Sequence, residues 1–249
     1  MRFIALGGLG SVLFLALTAV QAHTFGALAG DRSPTVVELY TSQGCSSCPP
    51  ADALLGKLAK RSDVIALSFH VDYWDYIGWK DPFADASYAK RQRTYARHFS
   101  RSFVYTPQMV VHGLTETSGT DEREVHSRIA RAANAPDVAV ELARGYDGEI
   151  SVSVPASTQP AQAAVWLALY QSSKKTEVRR GENRGRVIEN FNIVKKLAKI
   201  GEWRGEKLNL TVSAGKFHEP GVDGCAVFLQ SEQTGPILGA AAMALAEHK

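Results

Sequence analysis

The stretch Thr41-Ser42-Gln43-Gly44-Cys45-Ser46-Ser47-Cys48-Pro49-Pro50 constrains this chain more than any other. Before it, Val36 to Tyr40 is a short β-type run, which Thr41 to Gly44 bring to a turn. After it, Ala51 to Lys60 carries Leu54, Leu55 and Leu58 at helical spacing. Two consecutive prolines suit only the start of a helix, because neither has an N–H to donate and each fixes φ. The C-x-x-C pair is therefore pinned between the end of a strand and the first turn of a helix.

That location has chemical consequences. The unsatisfied N–H groups and positive dipole end of a helix N-terminus favour a thiolate over a thiol. Cys45 is then the nucleophile, and Cys48, one turn on, attacks the mixed disulfide and releases the substrate. Ser46 and Ser47 offer hydroxyls, expected first as helix caps and second as donors to a thiolate. Downstream, Thr106-Pro107 enters an apolar strand, where proline serves a bend. A cis bond there, packed beside the dithiol, would present the Thr106 backbone to an extended substrate. Glu38 lies mid-strand and has two options. It points to solvent, or it points inward as a desolvated carboxylate that takes a proton from Cys48.

The segment from His70 to Trp79 leaves an apolar strand, Val64 to Val71, at the cysteine end. Asp72 and Trp74 are candidates for a recognition surface beside Cys45, since aromatic residues anchor partners. Tyr76 and Trp79 are expected to cap the helix at 84–99, which carries Tyr88, Tyr95 and Phe99 near one face. Arg91, Arg93, Arg97 and Arg101 read as a solvated face. A zinc site needs two more ligands than the pair supplies. Only Cys225, His70, His98 and His112 are on offer, and none repeats the paired spacing. A soft metal such as copper would be satisfied by the pair plus His70 or His112. Cys225, inside the apolar run Cys225-Ala226-Val227-Phe228-Leu229, reads as a buried inert thiol. From the residues alone the pair is a redox dithiol, a metal carrier or a structural disulfide.

Compartment bears on that choice. Arg2 is followed by an apolar run and then Val20-Gln21-Ala22, the pattern of a secretory signal peptide cleaved after Ala22, with Ala29 as an alternative cut. Uncleaved, the same run would be a membrane anchor. Export frees a dithiol from the cytosolic glutathione poise and leaves its state to its partners. A formal net charge of only +3 over 249 residues gives no sign of a nucleic-acid partner. Beyond Pro136 the chain breaks into short alternating or apolar runs, which suggest an all-β, sandwich-like unit. Within it, residues 187–200 are ambiguous between helix and strand and are taken as strand.

TSQGCSSCPPAD together with YTPQMVV resembles the thioredoxin superfamily. With FHVDYWDYIGWKDPF added, the chain is similar to a family of secreted bacterial thioredoxin-like proteins of unsettled function. The resemblance implies Cys45 as nucleophile, Cys48 as resolving thiol, a Cys45–Cys48 disulfide in the oxidised state, and Pro107 as the cis-proline. It offers Glu38 as the buried acid, at a spacing to Cys45 one residue longer than usual; Thr106, Asp72 and Trp74 are the substrate contacts expected from the residues themselves. Gly44 departs from the pattern, which has an aromatic residue before the first cysteine. The expected architecture is α+β: a signal peptide at 1–22, a thioredoxin-like α/β domain at 33–135 and a β-sandwich-like unit at 136–249. The expected activity is extracytoplasmic thiol–disulfide exchange, in the periplasm or secreted. Its partners would be a protein or peptide thiol or disulfide and a redox partner protein. Neither cofactor nor metal, nucleic acid nor stable membrane insertion after signal cleavage is expected. The alternatives are a copper carrier and a binding module stiffened by its disulfide.

Overall fold

All seven residues of β1 (Thr35–Thr41) are buried, so this strand runs through the middle of the molecule. The structure is a computed structural model that describes residues 32–145, 148–158, 162–213, 219–231 and 234–245. The expected signal peptide lies outside the described residues. Among those described, no helix is long and apolar enough to cross a membrane.

From β1 the chain enters α1 (Pro49–Leu58), then β2 (Val64–His70), parallel to β1. A short 3-10 turn at Asp75–Ile77 precedes α2 (Ala86–His98). The hairpin β3 (Gln108–Val111) and β4 (Thr115–Ser118) pairs antiparallel to the other edge of β1, and α3 (Glu122–Ala132) follows. Then come β5 (Glu141–Arg144), β6 (Ile150–Val154), the long hairpin β7 (Ala163–Glu177) and β8 (Val187–Trp203), β9 (Leu208–Val212), β10 (Gly224–Ser231) and β11 (Ile237–Ala244). Residues 187–200 are thus strand, as expected from their pattern.

The fold is mixed α/β with one large mixed sheet and few helices. Eight strands run in the order β11-β10-β7-β8-β2-β1-β3-β4, and β5-β6-β9 make a second sheet. Strand alternation sorts the buried side chains into layers. Val36 and Tyr40 of β1 join Tyr88 and Tyr95 of α2 on one face. Val37 and Leu39 face the other way, against Leu54, Leu55 and Leu58 of α1 and Val125 and Ile129 of α3. Further along that second face, Val165 and Leu167 of β7 and Val227 of β10 meet Val152 and Val154 of the small sheet.

The expected division at 135/136 is not how the sheet is built. Strands β7, β8, β10 and β11 extend the sheet that β1 to β4 begin, through the parallel contact of Ser68 in β2 with Ile193 in β8. The α2-side core draws Phe228 and Ile237 from the second half as well as Tyr40 and Phe69 from the first. Among the described residues, only β5, β6 and β9 form a separate layer. Alternation marks a strand as half-buried, but it does not say which strand lies beside it.

Candidate functional site

Cys45 and Cys48 are joined by a disulfide at the junction of β1 and α1. The turn is held by its own backbone: Cys45 N–H donates to Ser42 O, and Cys48 N–H donates to Cys45 O. Cys48 is the N-cap of α1, with the prolines in its first turn. No side chain caps this helix, so the capping expected of Ser46 or Ser47 does not occur; Ser47 Oγ instead lies 3.4 Å from Cys45 Sγ. Both sulfurs are shielded, with Cys45 only 1% and Cys48 0% exposed.

The Thr106–Pro107 peptide is cis. It lies beside the first turn of α1: a Cβ added at Gly119 would meet Ala51 Cβ and Pro107 Cβ together. Trp74 closes the other side. Its indole N–H donates to Thr106 Oγ1 at 2.8 Å, and a Cβ at Gly44 would sit 3.2 Å from Trp74 Cβ. Trp74, from another loop, thus lies against Gly44, the position where an aromatic residue is expected. Asp72, half-buried, starts the same loop and accepts at its carbonyl from Asp75 N–H. Tyr76 is 82% exposed and Trp79 donates to Gln43 Oε1, so neither caps α2 as expected.

Glu38 is buried, but on the wrong face to serve Cys48. It shares the side of β1 with Val36 and Tyr40, whereas α1 packs on the side of Val37 and Leu39. Its carboxylate takes two hydrogen bonds from Arg91, at 2.7 and 2.8 Å, and one each from Tyr40 and Tyr95. Arg91 is consequently not on a solvated face. It sits over the rings of Phe69, Tyr95, Trp166 and Phe228 and donates to Gln230 Oε1 in β10. This buried pair knits α2 to both halves of the sheet, and removing one partner of such a pair costs about 3–5 kcal/mol.

The acid on the cysteine side is Asp52. It follows Cys48 by one helical turn, so the two side chains are neighbours on α1, with Cβ atoms about 5–6 Å apart. Asp52 is buried and accepts from Thr41 Oγ1 at 2.9 Å. Burial pushes its carboxyl up to about 7, against the opposing pull of His70. Sequence spacing could have found it, since Asp52 shares a helix face with Leu55; an acid in a first turn is so ordinary that the signal is easily passed over.

Around Asp52 lies a polar layer beneath the cysteine turn. His70 Nδ1 is 2.7 Å from Asp81 Oδ2, and that same oxygen accepts from Gln43 N–H. Burial disfavours the His70 imidazolium, but the Asp81 carboxylate outweighs it and holds His70 above its ordinary value. Asp81, despite its own burial, is held low by His70 and by donors from Gln43 and Phe83. Asn190 of β8 accepts from Gln43 Nε2. The tip of the β7–β8 hairpin completes the layer: Asn183 Nδ2 donates to Gln43 O and Cys45 O, both at 2.9 Å, and Ser46 N–H donates to Glu182 Oε2. None of these hairpin residues was singled out by sequence reasoning.

The remaining candidates lie elsewhere. His112 accepts from Val36 N–H through Nδ1, and burial lowers it to about 4. Among the described residues, no three His, Cys, Asp or Glu side chains are grouped to hold a metal ion. Cys225 is a free thiol in the β7–β10 core, pushed by burial up to about 12, in keeping with an inert thiol.

The family described as "Protein of unknown function (DUF1223)" matches residues 36–230, a span from β1 to β10 that includes every residue of this site. The chain belongs to this family. A protein from Agrobacterium tumefaciens solved by X-ray crystallography is 32% identical, over 89% of this chain and 98% of its own length, with a TM-score of 0.77. The likeness to that structure extends over most of the described fold. HBP35 of Porphyromonas gingivalis is 11% identical over 86% of this chain and 76% of its own, with a TM-score of 0.51, a likeness of fold alone. A search of curated proteins finds no match.

Proposed function

We propose that this protein is an extracytoplasmic thiol–disulfide oxidoreductase with a thioredoxin-like core. The observation that carries the proposal is the bonded Cys45–Cys48 pair at the N-terminus of α1, with the buried Asp52 carboxyl one turn behind it. Supporting the core assignment, β2-β1-β3-β4 hold α2 on one face and α1 and α3 on the other. The apolar N-terminal run with Val20-Gln21-Ala22 supports a periplasmic or secreted location.

In the reducing direction the Cys45 thiolate attacks one sulfur of a substrate disulfide. An S–S bond forms between Cys45 and that sulfur, and the other substrate sulfur leaves as a thiolate. Cys48 then gives its proton to the Asp52 carboxylate and attacks Cys45 Sγ. The intramolecular disulfide forms, and the second substrate thiolate departs. Two electrons pass from the dithiol to the substrate, and a redox partner protein must return them. The oxidising direction is the same sequence in reverse. A base near pH 7 is matched to this proton transfer, because it is partly ionised yet basic enough to accept. Thr106 and Pro107, beside the pair, offer backbone to an extended substrate, and Trp74 and Asp72 line the approach.

Replacing Cys45 by Ser is expected to abolish both insulin reduction and the oxidation of reduced ribonuclease. Wild-type protein inert in both assays would overturn the proposal. In the reduced protein Cys45 is expected to titrate below the free-thiol value of about 8.5.

A further inference from the structure

The β7–β8 hairpin pairs antiparallel from Ala163 opposite Trp203 out to Glu177 opposite Val187, with register shifts after Val165 and after Leu169. Its inner half pairs with β10 in the large sheet, and Ile193, opposite Gln171, meets β2. Its outer end reaches the cysteine turn. There Asn183 and Glu182 hold the backbone around Cys45 and Ser46, and the Phe191 ring packs so closely on Gly56 that a Cβ there would collide with it. A groove of about 340 Å³ remains between α1 and the start of β8. It begins at Pro49, the residue after Cys48. Its apolar lining comes from Pro49, Ala53, Val187 and Phe191, and Lys60 and Arg186 stand at its margin.

Charge is concentrated on the same element. From Lys174 to Glu189, six basic side chains stand against three acidic ones, a net +3 that equals the formal charge of the whole 249-residue chain. Everything else sums to zero. Arg179, Arg180, Arg184 and Arg186 are exposed, as is Val187 at 67%.

We infer that the outer end of this hairpin and its groove against α1 dock an acidic, partly apolar polypeptide segment of the protein that exchanges disulfides with Cys45. The inference rests on the redox reading of the pair. The hairpin tip borders the cysteine turn, so a partner engaging Cys45 passes beside it, and a cluster of one sign speeds the encounter and selects the opposite sign. The apolar lining from Pro49, Ala53, Val187 and Phe191 suits a polypeptide, which carries apolar side chains, better than a run of phosphates, which offers it none.

The test is the binding of a fluorescent acidic peptide that carries leucines and no cysteine. Its comparisons are a lysine-containing counterpart, duplex DNA and phosphatidylglycerol vesicles. The acidic peptide is expected to bind about tenfold tighter than its counterpart, and the triple variant R179E/R180E/R184E is expected to reverse that order. Salt at about 0.5 M should erase the difference. Equal affinities for the two peptides, an unaltered order in the variant, or tighter binding of DNA or vesicles would each overturn the inference. Because the peptide has no sulfur, its binding is separate from the chemistry. Insulin reduction with no peptide preference removes the docking surface alone, whereas peptide preference without any insulin or ribonuclease activity supports the surface and removes the redox reading.

Discussion

Two buried acids flank the plane of β1, and which one matters is decided by a single-residue alternation. Glu38 is neutralised by Arg91 and two tyrosines on the α2 side. Asp52 has one hydroxyl donor, from Thr41, and its other oxygen is buried without a hydrogen-bond partner among the described residues. Its folded value, about 7, lies above the ordinary value of about 3.9. The folded protein therefore holds a proton that the unfolded chain has already released between those limits. The resulting penalty is absent below about pH 4, grows as pH rises, and is complete above about pH 7, with a ceiling of roughly 4 kcal/mol. Asp52→Asn, which keeps the Thr41 contact, is expected to stabilise the oxidised protein more at pH 8 than at pH 5, in thermal melts at both values. It should also slow release of the mixed disulfide by about a hundredfold or more, the usual loss when a general base is removed. A melting shift independent of pH would remove Asp52 as the titrating group. Arg91 was equally legible: it falls three residues after Tyr88 and four before Tyr95, on the stripe that α2 buries. A charged residue on an apolar stripe is easily assigned to solvent until its counter-ion is known, and Glu38 is 53 residues away in sequence.

At the scale of elements, the strand–turn–helix around the cysteines was readable because every cue is local: the β-type run, the turn residues, the prolines and the leucine spacing. The α1 boundaries shift by only two residues from those expected, to Pro49–Leu58. What could not be read is the part played by the hairpin tip, since Asn183 contacts Cys45 across 138 residues and no periodicity encodes that. Asn183→Ala removes both of its donations into the cysteine turn. The expected cost is about 1–3 kcal/mol, that of leaving a buried carbonyl unsatisfied. Looser anchoring of the tip should also let a small thiol reduce the Cys45–Cys48 disulfide faster than in wild type, as followed by thiol release. An unchanged reduction rate would mean that the tip does not control entry to the pair.

For the molecule as a whole, the existence of most strands followed from alternation, but their partners did not. The second half reads as an independent β unit because its runs are short and regular. In the structure its long strands share a core with β1, β2 and α2, in which Phe228 and Ile237 pack with Tyr40 and Phe69. A fragment ending at residue 135 would expose that face of the sheet and leave Arg91 without Gln230, Trp166 and Phe228. Such a fragment is expected to lack a cooperative thermal transition, whereas residues 32–249 melt in one step. A cooperative, folded 32–135 fragment would restore the two-unit view. The same wrapping bears on how the protein meets its surroundings. A sulfur that solvent does not touch exchanges electrons only after something has opened the way to it. On the proposed redox reading, ambient thiols and oxidants act slowly, and the pair keeps the state left by its last specific encounter. Under that proposal, burial makes the pair a record of a meeting and not a gauge of the medium.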